Sequence, residues 1–336
     1  MTPIPEATRL SILDRSRVRR GQSHADALRD TVEFAQLAER WGYHRFWVAE
    51  HHSVPGVAGT APTVLAAAVA AATARIRVGT GGVMLPNHQP LVVAEQFGVL
   101  ASLFPGRIDM GLGRSVGFTD GVRRALAHDR ADAEDFDADL GELLDYFAAG
   151  RFGVHAGAAE GAHLPTFLLA TGSGAERAAR FGLPLVIAQV GGRAAMVRAI
   201  ERYRAEFRPS ARAEQPYVIV SATVMIADTT ALAHRLLLPE AWSSAYSRTR
   251  GEFPALLSPE EIDATTMTAR QRELFERALD DQIHGSEAEV ADSLGDLITQ
   301  TGAEEILVHT STFDRTARLD SHRRLARMAG LRSAAH

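Results

Sequence analysis

The sequence predicts an α/β chain folded as a single (β/α)₈ TIM barrel over residues 1–336, with an insertion between strands 7 and 8. Three observations point there. Short apolar runs alternate with amphipathic helical stretches along the chain, and such alternation makes a parallel sheet. Eight such runs can be counted, which favours a closed barrel over an open doubly wound sheet. No stretch of linker composition divides the chain, and 336 residues with 46% apolar content can bury one large core.

The first strand is the apolar run at 10–13. Ser23 with Asp26 three residues on resembles a capping box, and behind it Leu28, Val32, Ala35 and Ala38 share one helical stripe until Gly42 supplies a stop. Strand 2 at 45–48 runs into Glu50-His51-His52. A helix over 62–72 precedes strand 3 at 76–79, and a helix over 90–103 precedes strand 4 at 107–111. Helical sequence follows over 132–148, and strands 5 and 6 at 166–169 and 185–188 flank a helix starting near 173. Residues 216–227, rich in β-branched side chains, read as strand 7, and 305–309 as strand 8. Between them, 243–282 is polar and partly helical, with Pro254 and Pro259, and is the expected insertion or lid.

Composition narrows the function. There are no cysteines, which removes disulfides, thiolate nucleophiles, iron–sulfur clusters and cysteine zinc sites. A net charge of −5 with no polybasic run argues against nucleic acid or an anionic membrane as partner. The first nine residues lack a signal-peptide core and the apolar run at 61–72 is too short to span a bilayer, so a cytoplasmic location is expected.

In a barrel the chemistry sits where strands end and βα loops begin. Four segments fall there: Glu50-His51-His52, Gly79-Thr80-Gly81-Gly82, Gly111-Leu112-Gly113-Arg114-Ser115 and Thr171-Gly172-Ser173-Gly174. Adjacent histidines on a strand point to opposite sides, so His51 and His52 make a poor metal pair. Either both are structural, or one imidazole works as an acid or base. Thr171 to Gly174 precedes a helix, where free N–H groups and the helix dipole favour an anion; Arg114 could add a bidentate contact to the same phosphate. A tight, well-capped turn would look the same. Val116 stands where a dinucleotide fingerprint needs its third glycine, so that pattern fails. Gly81-Gly82 could let a backbone lie flat against a ring, or could be a turn.

Taken together and in order, these segments resemble the luciferase-like class of flavin monooxygenases. The resemblance is carried by 42–52 (GYHRFWVAEHH), 77–86 (RVGTGGVMLP) and 105–114 (PGRIDMGLGR), with 301–308 and 318–321 agreeing near the C-terminus. It implies a barrel that binds FMN, reduced by a separate NAD(P)H-dependent flavin reductase, and uses O₂ to oxygenate a small organic substrate. His51 takes the place of the family's catalytic imidazole, as acid/base or peroxyflavin stabiliser. Gly81-Gly82 takes the place of a non-proline cis peptide under the flavin ring. Arg114 and Thr171, Gly172, Ser173 and Gly174 match phosphate-holding positions, and Asp120 matches an acidic position beyond Arg114. His52 and Glu95 match positions near a subunit interface, so a homodimer is implied. No metal is expected. Two rivals share the signature: a deazaflavin-dependent hydride-transfer enzyme and a non-catalytic flavin-binding protein. Ala188-Gln189-Val190-Gly191-Gly192 departs from the pattern, because many relatives carry a histidine or aromatic residue there. The insertion does not match the luciferases' long mobile loop, so light emission is not expected.

Overall fold

The computed structural model describes residues 4–332 except 6, 118, 129–130, 173 and 281, and leaves the side chain of residue 132 undescribed. Eight parallel strands form the barrel: β1 (Arg9–Asp14), β2 (Arg45–Val48), β3 (Arg77–Thr80), β4 (Ile108–Gly113), β5 (Thr166–Ala170), β6 (Leu185–Ala188), β7 (Val218–Ala222) and β8 (Glu305–Val308). Each pairs with its sequence neighbour, β8 pairs with β1, and Val78 opposite Ile108 joins β3 to β4, so no edge is left in the ring. Around it lie α1 (His24–Trp41), α2 (Pro62–Ala72), α3 (Pro90–Leu103), α4 (Asp120–Leu126), α5 (Phe136–Ala148), α6 (Gly174–Phe181), α7 (Arg193–Glu206), α8 (Thr230–Arg250), α9 (Pro259–Asp263), α10 (Ala269–Asp280), α11 (Glu287–Thr301) and α12 (Arg315–Met328). Helix α1 begins and ends where expected: the Ser23 hydroxyl accepts from the Asp26 N–H, and Gly42 closes it at φ 85°. Among the described residues, no helix is long and apolar enough to cross a membrane.

The period of two along each strand sorts side chains into an outer and an inner set. Outward residues such as Leu10, Ile12, Phe46, Val48, Met110, Ile306 and Val308 pack under the helices in the main core. Inward residues stack in levels. At the N-terminal end of the strands Arg45, Asp109 and Glu305 form a buried ionic floor, with Arg45 2.8 Å from Asp109 and 3.0 Å from Glu305. Above it Leu13, Trp47, Phe167, Val186, Ile219 and Leu307 fill the barrel. At the C-terminal end the inward positions are small (Ala49, Ala188, Ser221), and the barrel opens.

Two expectations need correction. The strand expected over 216–227 is broken: β7 ends at Ala222, and Val224–Ile226 leaves the barrel to pair with a short strand, Ile283–Gly285. The Thr310 hydroxyl takes over at the break, accepting from the Val224 N–H (2.8 Å) and donating to the Val224 carbonyl (2.6 Å). The insertion also begins earlier than residue 243. Its first helix, α8, starts at Thr230 and runs through Pro239, whose ring would ordinarily stop a helix. With α9 and α10 it encloses a second apolar cluster that includes Leu237, Ala241, Trp242, Ile262 and Leu279.

Candidate active site

The small residues at the mouth leave a cavity of about 730 Å³, within the range that cofactor-sized ligands occupy. Six sequence-predicted residues line it: His51 beyond β2, Gly81 and Gly82 beyond β3, Arg114 beyond β4, and Thr171 and Gly174 beyond β5. Gly172 stands in the same turn at φ 52°, its carbonyl accepting from the Ala175 N–H at 3.2 Å. Ser173 lies outside the described residues. Asp120 is not brought to the cavity wall; it opens α4, is exposed, and pairs with Arg123 three residues on. The i, i+3 spacing within a helical turn gives it that nearer partner.

Local chemistry fixes each wall. The Gly81–Gly82 peptide is cis. A Cβ on Gly82 would come within 2.7 Å of the Gly111 carbonyl oxygen, so β3 and β4 approach too closely there for a side chain. Thr80 completes this seam, its hydroxyl donating to the Gly111 carbonyl (2.8 Å) and accepting from the Gly111 N–H (3.2 Å). Arg114 donates to the Ala133 carbonyl at 2.7 Å and pairs with no carboxylate among the described residues. Its charge is therefore available to an anion. Arg177, on α6, also lines the cavity but is already paired with Asp137.

His51 stands edge-on to Phe253, with ring centroids 5.6 Å apart. Burial, reinforced by the positive charges of Arg15 and Arg17, pushes its imidazole down to about 3, so it is neutral at physiological pH. A neutral imidazole both donates and accepts a hydrogen bond, whereas an imidazolium only donates. Beside it, Glu50 is buried and its carboxylate takes three donors: His52 (2.6 Å) and His88 (2.9 Å) on Oε1, and the Met84 N–H (2.9 Å) on Oε2. Burial pushes the Glu50 carboxyl up, but these hydrogen bonds outweigh it and hold the group down to about 2. Glu50, His52 and His88 bring ligand-type atoms within 4.8 Å of one another. Their short internal hydrogen bonds account for this grouping without an ion.

The walls suit a phosphorylated, flat, largely apolar ligand. Leu13, Met84, Leu168 and Val186 give apolar surface, side chains are missing at Gly81 and Gly82, and Arg114 with Thr171 offers donors for a phosphate. A flavin mononucleotide fits that donor set.

A sequence profile described as luciferase-like monooxygenase matches residues 8–305. The chain belongs to the luciferase-like monooxygenase family. The luciferase-like monooxygenase of Escherichia coli strain K12 is 38% identical over 315 residues, 93% of this chain and 94% of that one. The N-acetyl-S-alkylcysteine monooxygenase of Bacillus subtilis strain 168 is 48% identical over a shorter stretch of 139 residues, 41% of this chain and 42% of its own length. Among solved structures, apo-MsnO8 superposes with a TM-score of 0.83 at 31% identity, covering 96% of this chain and 98% of the other. Family membership implies oxidoreductase chemistry of the monooxygenase type, on a small molecule with O₂.

In this luciferase-like monooxygenase several site residues escaped the sequence reading. Glu50 stands next to the histidine pair, yet nothing local announces that it gathers His52 and His88. His88 follows a 3₁₀ turn at Leu85–Asn87 and carries no periodic signal. Arg177 reaches the cavity only because α6 folds back over β5.

Proposed function

We propose that this luciferase-like monooxygenase binds reduced FMN, delivered by a separate NAD(P)H-dependent reductase, in the 730 Å³ cavity and oxygenates a small organic substrate with O₂. The observation that carries the reading is that one cavity receives His51, the side-chain-free Gly81 and Gly82, Arg114, which pairs with no carboxylate among the described residues, and the Thr171 turn. Bound there, reduced FMN would supply the electrons that let one atom of O₂ enter the substrate while the other leaves as water. The protein's own part is to bind, orient and exclude water. Arg114, Thr171 and the turn before α6 would hold the phosphate. Gly81 and Gly82 leave a side-chain-free surface for the ring, and Leu13 and Met84 keep water from it. His51, neutral before reaction, would hold or move a proton at a ring nitrogen.

Two substitutions separate these roles. His51→Ala should lower substrate-dependent oxygen uptake by about 100-fold while FMN affinity stays within twofold of the parent. An undiminished rate removes His51 from the chemistry. Arg114→Ala should weaken FMN binding by about tenfold or more and leave riboflavin, which lacks the phosphate, unaffected. Equal losses for both ligands would place Arg114 elsewhere. Titration with reduced FMN and reduced deazaflavin side by side, with oxygen uptake recorded, decides between oxygenation and hydride transfer.

The reading includes a homodimer in the cytoplasm. Its support is an exposed apolar surface on α2 and α3, where Val64 is 70% and Leu103 65% accessible, with Glu95 exposed on the same face region. His52 is already engaged by Glu50 within the chain, so the helices rather than that imidazole would carry the contact. Light scattering should give twice the 36.2 kDa chain mass; a monomer at micromolar concentration rejects this part.

A further inference from the structure

A second cavity of about 610 Å³ lies against the first and shares Ala188 and Ser221 with it. Phe253 lines this second chamber and meets His51 edge-on in the first. A molecule held in the chamber therefore faces the imidazole across the Phe253 ring, beside the wall that the two cavities share.

The charge of the chamber runs against that of the chain. The protein carries a net −5, yet the chamber wall holds four arginines (15, 193, 248 and 277) and one glutamate, Glu240. Two of the four are answered by the protein: Arg15 lies 2.6 Å from Glu240, both largely buried, and Arg277 lies 2.8 Å from Glu273. Arg193 and Arg248 pair with no carboxylate among the described residues. Guanidinium groups on a concave wall attract an anion and match a carboxylate's two oxygens.

The rest of the wall says what the anion is attached to. Met196, Val220, Leu274, Ile283 and Leu297 give it apolar surface for a hydrocarbon body, interspersed with the polar side chains of Thr223, Ser244, Gln282 and His309. The loop that leads to Arg193 is Val190-Gly191-Gly192, with φ of 79° and 91° at the two glycines, and a Cβ built on Gly192 would meet nothing within 4 Å, so this side of the chamber is open. Arg193 comes from the start of α7 and Arg248 from the end of α8, the insertion's first helix, so the pair exists only in the folded barrel.

We propose that this chamber binds the substrate, and that the substrate is a small organic carboxylate whose charged end is taken by Arg193 and Arg248 while its apolar body points past Phe253 toward His51. The catalytic meaning of this assignment rests on the flavin reading above; the binding itself needs no flavin.

The test uses the full-length protein without flavin and three acids as probes, hexanoate, 4-phenylbutyrate and N-acetylleucine, each against its neutral methyl amide, by isothermal titration at low and high salt. At least one acid should bind at least tenfold more tightly than its amide, with affinity falling as salt is raised. The double variant Arg193→Gln with Arg248→Gln should lose that preference while its FMN affinity and melting temperature match the parent's. Acid and amide binding alike, all three acids failing below 10 mM, or a double variant that keeps the preference would each overturn the proposal. Charge-selective acid binding in a protein that binds no FMN would leave the chamber standing and remove the flavin reading. FMN binding without acid binding would do the reverse.

Discussion

Replacing Asp109 with alanine is expected to destabilise the protein by about 3–5 kcal/mol, the usual cost of leaving a buried ionic partner uncompensated. Asp109 is fully buried on the inward face of β4 and its carboxylate is saturated. Oδ2 accepts from Arg45 (2.8 Å) and from the Trp47 indole N–H (3.1 Å), and Oδ1 accepts from Arg77 through Nε (2.9 Å) and Nη2 (2.6 Å). Without it Arg45, itself only 5% exposed, keeps Glu305 alone, and the indole N–H loses its acceptor inside the barrel. Asp109→Asn retains the shape and one acceptor, so it should fall between the two. Urea unfolding followed by fluorescence measures the difference; a loss under 1 kcal/mol for the alanine variant would mean that the floor contributes little.

Acidification should be nearly as damaging. Burial is the leading cause that lowers three imidazoles, His51 and His322 to about 3 and His309 to about 4. Neighbouring arginines add to it in each case: Arg15 and Arg17 at His51, Arg318 at His322, and Arg15 at His309. His322 illustrates the setting: it is 1% exposed, packed edge-on against Phe34 at 4.9 Å, and hydrogen-bonded to the Arg318 carbonyl at 2.9 Å. The sign follows from linkage. As pH falls through about 6.5 the unfolded chain takes up protons at these positions and the folded chain does not, so stability is complete well above pH 6.5 and drains as pH falls toward the folded values. Each group loses about 1 kcal/mol across pH 6.5 to 5.5, because the unfolded imidazole goes from half to nearly fully protonated there, so the three together should remove about 3 kcal/mol over that interval. Buried carboxylates such as Glu50, held low, begin to matter only at more acid pH. Unfolding free energies at pH 7.5, 6.5 and 5.5 at constant ionic strength check this, and a flat profile across the interval would refute it.

The barrel was legible because its signals are local. The bounds of α2 and α3, the cap at Ser23 and the stop at Gly42 follow from residues within a turn of each boundary. Inward and outward faces follow from a period of two. Where the chain uses distant partners, the reading failed. Val224–Ile226 has the composition of a continuing strand, and only Thr310 and Ile283–Gly285 draw it out of the ring. Helix α8 was obscured by Pro239, which packs at its buried face.

The site divides the same way. His51, Gly81, Gly82, Arg114, Thr171 and Gly174 lie at strand ends, where barrel geometry alone brings them together. Asp120 shares the neighbourhood in sequence but not in space, because one helical turn gives it Arg123. His88, and the Arg193 and Arg248 pair, depend on helices closing over the mouth, which no run of adjacent residues encodes.

The two ends of the ring are built for different tenants. The charged plug of Arg45, Asp109 and Glu305 locks the hoop shut from below, whereas Ala49, Ala188 and Ser221 leave the upper rim unfurnished. Enlarging or shrinking those rim positions would reshape the room without loosening the hoop, which makes them the natural starting points for redirecting the enzyme to molecules of another size.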